Sequence, residues 1–438
     1  MSIDNSLSGS KKLKSNILGS SAFKVISIAC SFLLVRACAN YMGEEKYGIL
    51  LTVLSFFVWF SVLEVGISSN FRNRLTKYFS EKDSKNGKTV VSNVYRLLGK
   101  TYLVVILLLL IISSAFPFEY IFLPTDYSPH GFGLAFTLSA VFYMLFYIAF
   151  ALNTILLSTH YAKATYLILA LQNTVLLFGI YTFNYLDITP TFLLIFVWFT
   201  FVPLFFWVLS NVVIYKTILS DFAPQWNQVY SSNQSFKYNI NYGFFIIQLC
   251  VLIIFSTDNL IIINKLSGSE VFKYNLAFKY FNILIVVFNV ILLPYWSSFA
   301  EASHQNNKQW IKTHLKKLIL VWFGTFVMGF VLLVSSNYAY HLWIGKTIEI
   351  SFYLSVFMLI SILLTAWNSI FAYYLNSISE VKSQTILSII SAGINIPLSL
   401  WLIDIYGAKG VIISTCISLL PLAIVLPIQS FQMIKKMS

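Results

Sequence analysis

Two ionisable residues stand inside long apolar runs near the middle of the chain: Asp258 in QLCVLIIFSTDNLIIIN and Lys279 in KYNLAFKYFNILIVVFNVILL, the runs joined by a short polar turn. A charge at the centre of a membrane helix costs roughly 2.5 to 3.5 kcal/mol on insertion scales, so such residues face a bundle interior or a wet cavity and mark ion sites or solute paths. Measured from the turn at Lys265 to Glu270, Asp258 lies seven residues back and Lys279 nine residues on. At the rise of a helix both then sit roughly 10 to 14 Å below the surface. A coupled pair at one depth is expected, because either charge alone in a dry site is uncompensated.

The first half buries charge as well. Lys24 and Arg36 lie in the first apolar run and Glu64 in the second. Lys24 is 18 residues before Met42 and Glu64 is 18 after Lys46, so the two are expected to meet near one end of a hairpin. Arg36 sits about 9 Å below the other end by helix rise. Lys24 has a structural alternative, snorkelling to the interface or pairing with Glu64. Carboxylates in such places can carry a proton or hold a cation, and basic groups at several depths can hand a phosphate along, arginine gripping two oxygens at once. Catalysis is not indicated. The histidines, His130, His160, His304, His314 and His341, are scattered without a carboxylate at acid–base or metal spacing, and no glycine-rich phosphate loop is present. The four cysteines, Cys30, Cys38, Cys250 and Cys416, fall in or at the ends of apolar runs, as packing residues do.

The elements that must position these groups are membrane helices. Of 438 residues 58% are hydrophobic and 10% charged, with a mean hydropathy of +0.78, too apolar for a soluble domain. The net charge of +13 does not point to nucleic acid, which needs basic residues gathered on one water-facing surface; here they sit in loops. Windows of about 20 residues give twelve spans, near 17–40, 47–69, 94–116, 131–158, 164–184, 190–216, 238–264, 271–300, 314–335, 350–377, 383–403 and 409–433. Of the 29 lysines and arginines, Lys24, Arg36 and Lys279 are set aside as buried in spans, and the rest lie in loops or near span ends. With the N-terminus inside, five lie in outer loops (Lys46, Lys265, Lys273, Lys346 and Lys409) and the remaining 21 inside. That asymmetry puts both termini in the cytoplasm. The most basic inner loop, 70–100, contains FRNRLTKYF, which could lie along the headgroups as an interfacial helix. Pro203, Pro294, Pro397, Pro421 and Pro427 fall in or near spans, where proline permits a kink.

Gly43, Glu45 and Tyr47 match Gly268, Glu270 and Phe272 at an offset of 225 residues, about half the chain. The offset carries the first two helices onto the seventh and eighth, so each half holds six and the halves share one orientation. The expected architecture is an all-α polytopic membrane protein of about twelve helices in two six-helix lobes, 1–220 and 221–438, around a central cavity.

The run TDNLIIINKLSGSEVFKYNLAFKYFNI, then LPYWSSFAEA and KQWIK, resembles the seventh and eighth helices and following loop of O-antigen flippases of the Wzx type. These form part of the polysaccharide-transport branch of the multidrug, oligosaccharidyl-lipid and polysaccharide exporter superfamily. The positions that carry the likeness are Asp258, Gly268, Tyr274, Lys279, Pro294, Trp296, Ser297, Glu301, Ala302 and Trp310. YMGEEKYG at 41–48, Glu64 with Gly66 and Ile67, and YGAKGVIIST at 406–415 resemble the family too. The resemblance implies a MATE-like pair of lobes around a cationic cavity in the cytoplasmic (inner) membrane. It implies a substrate, undecaprenyl-pyrophosphate-linked oligosaccharide, turned over to the outer leaflet without ATP or a cofactor and coupled to H+ or Na+. Membrane lipids, a polysaccharide polymerase and chain-length machinery are the implied neighbours. Arg36, Lys279 and Lys24 would form the pyrophosphate track, with Asp258 and Glu64 as coupling or structural carboxylates. Two other readings stay open: a small-molecule antiporter of the same superfamily, expected to show an acidic cation site, and a membrane polysaccharide polymerase. The polymerase would need a sizeable outer loop, and the longest outer segments here, near 117–130 and 336–349, have about 15 residues.

Overall fold

In the computed structural model the chain is described over residues 3–123, 131–159, 161–225, 242–345 and 348–437, with the side chains of 3–21, 65–70, 73 and 242 excepted; His130, His160 and Lys346 lie outside these residues. It is helical throughout: α1 (Ile3–Phe57), α2 (Ser61–Ser80), α3 (Ser84–Ala115), α4 (Glu119–Phe122), α5 (Phe132–Ser158), α6 (Ala162–Tyr185), α7 (Phe192–Lys216), α8 (Tyr242–Lys265), α9 (Gly268–Leu292), α10 (Tyr295–His304), α11 (Lys308–Val334), α12 (Ser336–Ile344), α13 (Phe352–Ser377), α14 (Lys382–Tyr406) and α15 (Ala408–Lys436). Among the described residues eleven stretches are long and apolar enough to cross a membrane. The first of them, Ala22–Glu64, is 43 residues long, about twice what one crossing takes. It is broken at Gly43, whose φ of 80° and ψ of 166° interrupt the helix in a region that a side chain would disfavour. Divided there, the eleven supply the twelve spans expected from hydropathy. This is a multi-pass membrane protein.

The helices form because unbroken Leu, Ile, Val and Phe leave the backbone no partner but itself in lipid. Their ends carry the expected caps. Asp83 accepts from the Asn86 backbone N–H at 3.1 Å and from its side-chain N–H at 2.6 Å at the start of α3, and those bonds hold its carboxyl below the usual range. Ser267 accepts from the Glu270 N–H at 3.3 Å at the start of α9. Pro203, Pro397, Pro421 and Pro427 lie inside helices, while Pro294 precedes α10. FRNRLTKYF is no separate interfacial helix. It continues α2 past the span, with Phe71 and Leu75 buried and Phe79 packed on Tyr161 and Phe222.

The chain divides into two compact units. The first holds Met1–Gly43, Phe57–Tyr120 and Asp126–Ile240. Its core is aromatic, with Phe136 touching Phe57, Phe118 and Phe132, Phe196 on Phe132 and Phe192, and Trp207 edge-on to Phe150 at 4.7 Å. The second holds Glu44–Phe56, Ile121–Thr125 and Asn241–Ser438. One core there gathers Phe288, Leu292, Phe299, Ile370, Phe371 and Leu426. Elsewhere in that unit α14 and α15 bury Ser388, Ser391, Asn395, Ser399, Ser414, Thr415 and Ser418, the small and polar residues that let membrane helices approach closely and bond across. Outward faces are apolar: Leu103, Val104, Leu107, Leu108 and Ile111 of α3 are exposed, at the spacing of one helical stripe.

Candidate functional site

Asp258 occupies the middle of α8 and is 1% exposed. One carboxylate oxygen, Oδ2, accepts from the Tyr274 hydroxyl of α9 at 2.5 Å and from Thr415 of α15 at 3.5 Å. The other, Oδ1, is buried with no hydrogen-bond partner. Thr415 also receives the Asn395 side-chain N–H from α14 at 3.4 Å, and the Asn395 side-chain oxygen is likewise buried and unpartnered. One residue along, Asn275 donates to Asn259 at 2.8 Å. Four helices of the second unit thus converge on one carboxylate, with two acceptor oxygens unsatisfied, where a lone acceptor is expensive to leave unmade.

The expected Asp258–Lys279 pair is not made: Oδ2 is held by Tyr274 and Thr415, and Oδ1 has no partner. The reason is register. The hairpin turns at Leu266 and Ser267 and α9 begins at Gly268, not at Glu270, so Asp258 meets Tyr274 and Asn259 meets Asn275, each pair 16 residues apart. Lys279 falls eleven residues into α9 against seven back for Asp258, about 6 Å deeper by helix rise, and is partly buried.

Lys24 and Glu64 do not pair either. The Lys24 ammonium stands 5.8 Å from the centre of the Tyr166 ring in α6, a distance at which a cation is drawn to the ring face. Around it Asn173 donates to the Ser27 hydroxyl at 2.8 Å, and Cys30 and Thr174 are 3.5 Å apart, a polar seam between α1 and α6. Glu64 is 3% exposed, beside Tyr102, whose hydroxyl donates to the Phe60 carbonyl at 2.8 Å. Arg36 is exposed on the same face of α1 as Ala29, Leu33 and Asn40, also exposed. Lys24, Arg36 and Glu64 lie in the first unit and Asp258 and Lys279 in the second.

The fold shows two residues that the sequence alone did not assign a role. Asn395 and Thr415 carry no charge and stand in apolar helices where a serine or asparagine is unremarkable. Tyr274, and Thr415 as the last residue of YGAKGVIIST, were marked only by the family resemblance. A groove of about 950 Å³ in the first unit is lined mostly by apolar side chains such as Phe201, Phe205, Val208 and Val212, with Tyr95, Asn211 and Lys216, and none of the five charges lines it.

No family model matches the chain. Over 409 residues it is 21% identical to a putative O-antigen transporter of Salmonella typhi, spanning 90% of each chain. A putative O-antigen transporter of Salmonella typhimurium (strain LT2) is 23% identical over 416 residues, again 90% of each. Among solved structures it is similar to an inward-facing multidrug resistance MATE family transporter of the MOP superfamily, with a TM-score of 0.71, 14% identity, and 94% of this chain and 95% of the other covered. An outward-facing MATE transporter gives 0.64 at 16% identity and 96% of both chains. A MOP superfamily transporter from Pyrococcus furiosus gives 0.62 at 14%, covering 97% and 96%. The resemblance to O-antigen transporters therefore runs along nine tenths of the chain, and the fold is that of the MATE transporters.

Proposed function

We propose that this protein is a flippase, carrying undecaprenyl-pyrophosphate-linked oligosaccharide repeat units across the cytoplasmic membrane for O-antigen or another surface polysaccharide. Both termini face the cytoplasm, and an H+ or Na+ gradient drives the cycle. The observation that carries this reading is the likeness, over 90% of their length, to two proteins named as O-antigen transporters.

The side chains support it. Arg36 is exposed on a face of α1 that lies within an apolar span, and a guanidinium there belongs against a wet path rather than lipid tails. An anionic head needs such groups to cross a region of low dielectric. Arg36, Lys279 and Lys24 form the track. Asp258 fits the coupling step: its unpartnered oxygen is satisfied by a proton or by a cation, and either changes the charge of the bundle interior. Glu64, equally buried, is the second candidate for that role.

The test is deletion of the gene followed by locating the lipid-linked oligosaccharide. Accumulation on the cytoplasmic leaflet is expected. Unpolymerised units on the outer face would instead identify a polymerase and end the flippase reading.

A further inference from the structure

The residues that reveal the 225-residue repeat come together in the fold. Tyr47 and Phe272, equivalent positions, place their ring centres 5.6 Å apart and both are buried. Glu45, the equivalent of Glu270, reaches the first turn of α9. Its Oε1 accepts from the Gly268 N–H and its Oε2 from the Ser269 N–H, both at 2.8 Å. Glu44 accepts from the Ser269 hydroxyl at 2.9 Å. These N–H groups have no partner within their own helix, and the helix dipole favours a negative charge beside them. The backbones are as close as they can be: a Cβ on Gly48 would run into the Gly268 carbonyl, and one on Gly268 into the Glu45 carbonyl. The bond is not returned, because Glu270 pairs with Lys273 at 2.8 Å.

The segment that carries Glu44 and Glu45 is set off from the chain on either side of it. Glu44–Phe56 clusters with the second unit, although the chain on either side of it belongs to the first. It is bounded at one end by Gly43, where the helix is broken, and at the other by the 3-10 turn Val58–Phe60. A stretch of 3-10 in mid-helix often marks a hinge.

We propose that Glu45, with Glu44, is a latch: it clasps the start of α9 to hold the outer end of the 44–56 segment in place, and the clasp opens and recloses in each transport cycle. A carboxylate on backbone N–H groups can exchange those bonds for water, which a purely apolar seam cannot do. The contact suits repeated opening for that reason. The tightly apposed Gly48 and Gly268 allow it to close fully.

The device presupposes the transport proposed above, so its test includes a readout that needs no transport. In chains carrying Ser269→Cys, an impermeant maleimide should label residue 269 from outside at least about tenfold faster when Glu45→Ala is added, the fold-change expected from losing even one of the two charge-assisted hydrogen bonds that Glu45 makes. Glu45→Gln should be intermediate, and Gly48→Ala, which holds the backbones apart, should also speed labelling. Equal rates in all of these chains would overturn the latch. With Glu45→Cys and Ser269→Cys together, oxidation should cross-link the pair and lower surface polysaccharide, and a reductant should restore it. Normal export by the cross-linked protein would show that transport does not need the contact to open and would overturn the latch. If polysaccharide does not depend on this chain at all, the transport reading fails while the labelling rates still decide the latch.

Discussion

The Tyr274 hydroxyl donates to Asp258 Oδ2 at 2.5 Å across the α8–α9 hairpin, and that bond, not an ion pair, settles how the central carboxylate is held. Removing it leaves Oδ2 with Thr415 alone at 3.5 Å. Tyr274→Phe should therefore lower stability by about 1–3 kcal/mol, read as a lower melting temperature of the detergent-purified protein. A double-mutant cycle of Asp258→Asn with Tyr274→Phe should show coupling, whereas Asp258→Ala and Lys279→Ala should add independently. Coupling in the second cycle and none in the first would reverse this account.

Arg36→Lys keeps the charge but loses the two parallel bonds that a guanidinium makes to phosphate oxygens. It should reduce polysaccharide export, and Arg36→Ala should reduce it further, roughly tenfold for the loss of a charge-assisted hydrogen bond. Surface polysaccharide is measured against membrane levels of each variant. Unchanged export by a well-expressed Arg36→Ala, Lys279→Ala chain would remove both residues from the track.

Topology is checked at two exposed positions, Lys85 in the first turn of α3 and Asp187 after α6. The excess of basic residues on one side assigns Lys85 to the cytoplasm and Asp187 to the outside. Cysteines introduced there should react with an impermeant reagent from opposite sides. Labelling from one side only would invalidate the orientation.

In YGAKGVIIST, Gly410 packs directly on backbone. A Cβ there would meet the Leu402 carbonyl group and lie 2.8 Å from the Ile403 N, atoms of the α14 helix that cannot rotate away. Gly410→Ala should cost about 1–3 kcal/mol. Gly99→Ala is the control, since nothing lies within 4 Å of its Cβ and alanine favours the helix by about 0.5–1 kcal/mol. Thermal unfolding of both variants should give shifts of opposite sign; equal shifts would show that Gly410 is not pinned by α14.

The spans were legible because lipid imposes a simple rule: an apolar run of about 20 residues must be helical. Inward placement of Asp258 and Glu64 followed from the same rule, and both are buried. Pairing was not legible to that depth. Placing the turn two residues late was enough to match Asp258 with Lys279 instead of Tyr274, since one residue is about 1.5 Å along a helix and 100° around it. The expected meeting of Lys24 with Glu64 failed for a related reason: residue counts give height along a hairpin but not which neighbour shares the face, and α6 supplies Tyr166. Asn395 was invisible, and Thr415 was marked only by the resemblance at 406–415, because an uncharged polar residue in a membrane helix costs too little to stand out from packing.

The clasp between Glu45 and Gly268 joins residues 223 apart in the chain. At a synthesis rate of roughly 5–20 residues per second, α9 emerges some 10 to 45 seconds after the first hairpin. During that interval the Glu44–Phe56 segment is in the membrane without the helix it packs against, its two carboxylates unclasped and the Tyr47 ring uncovered. The early chain is thus the part most in need of a holding partner at the insertion machinery, and truncation before α9 should send it to membrane proteases.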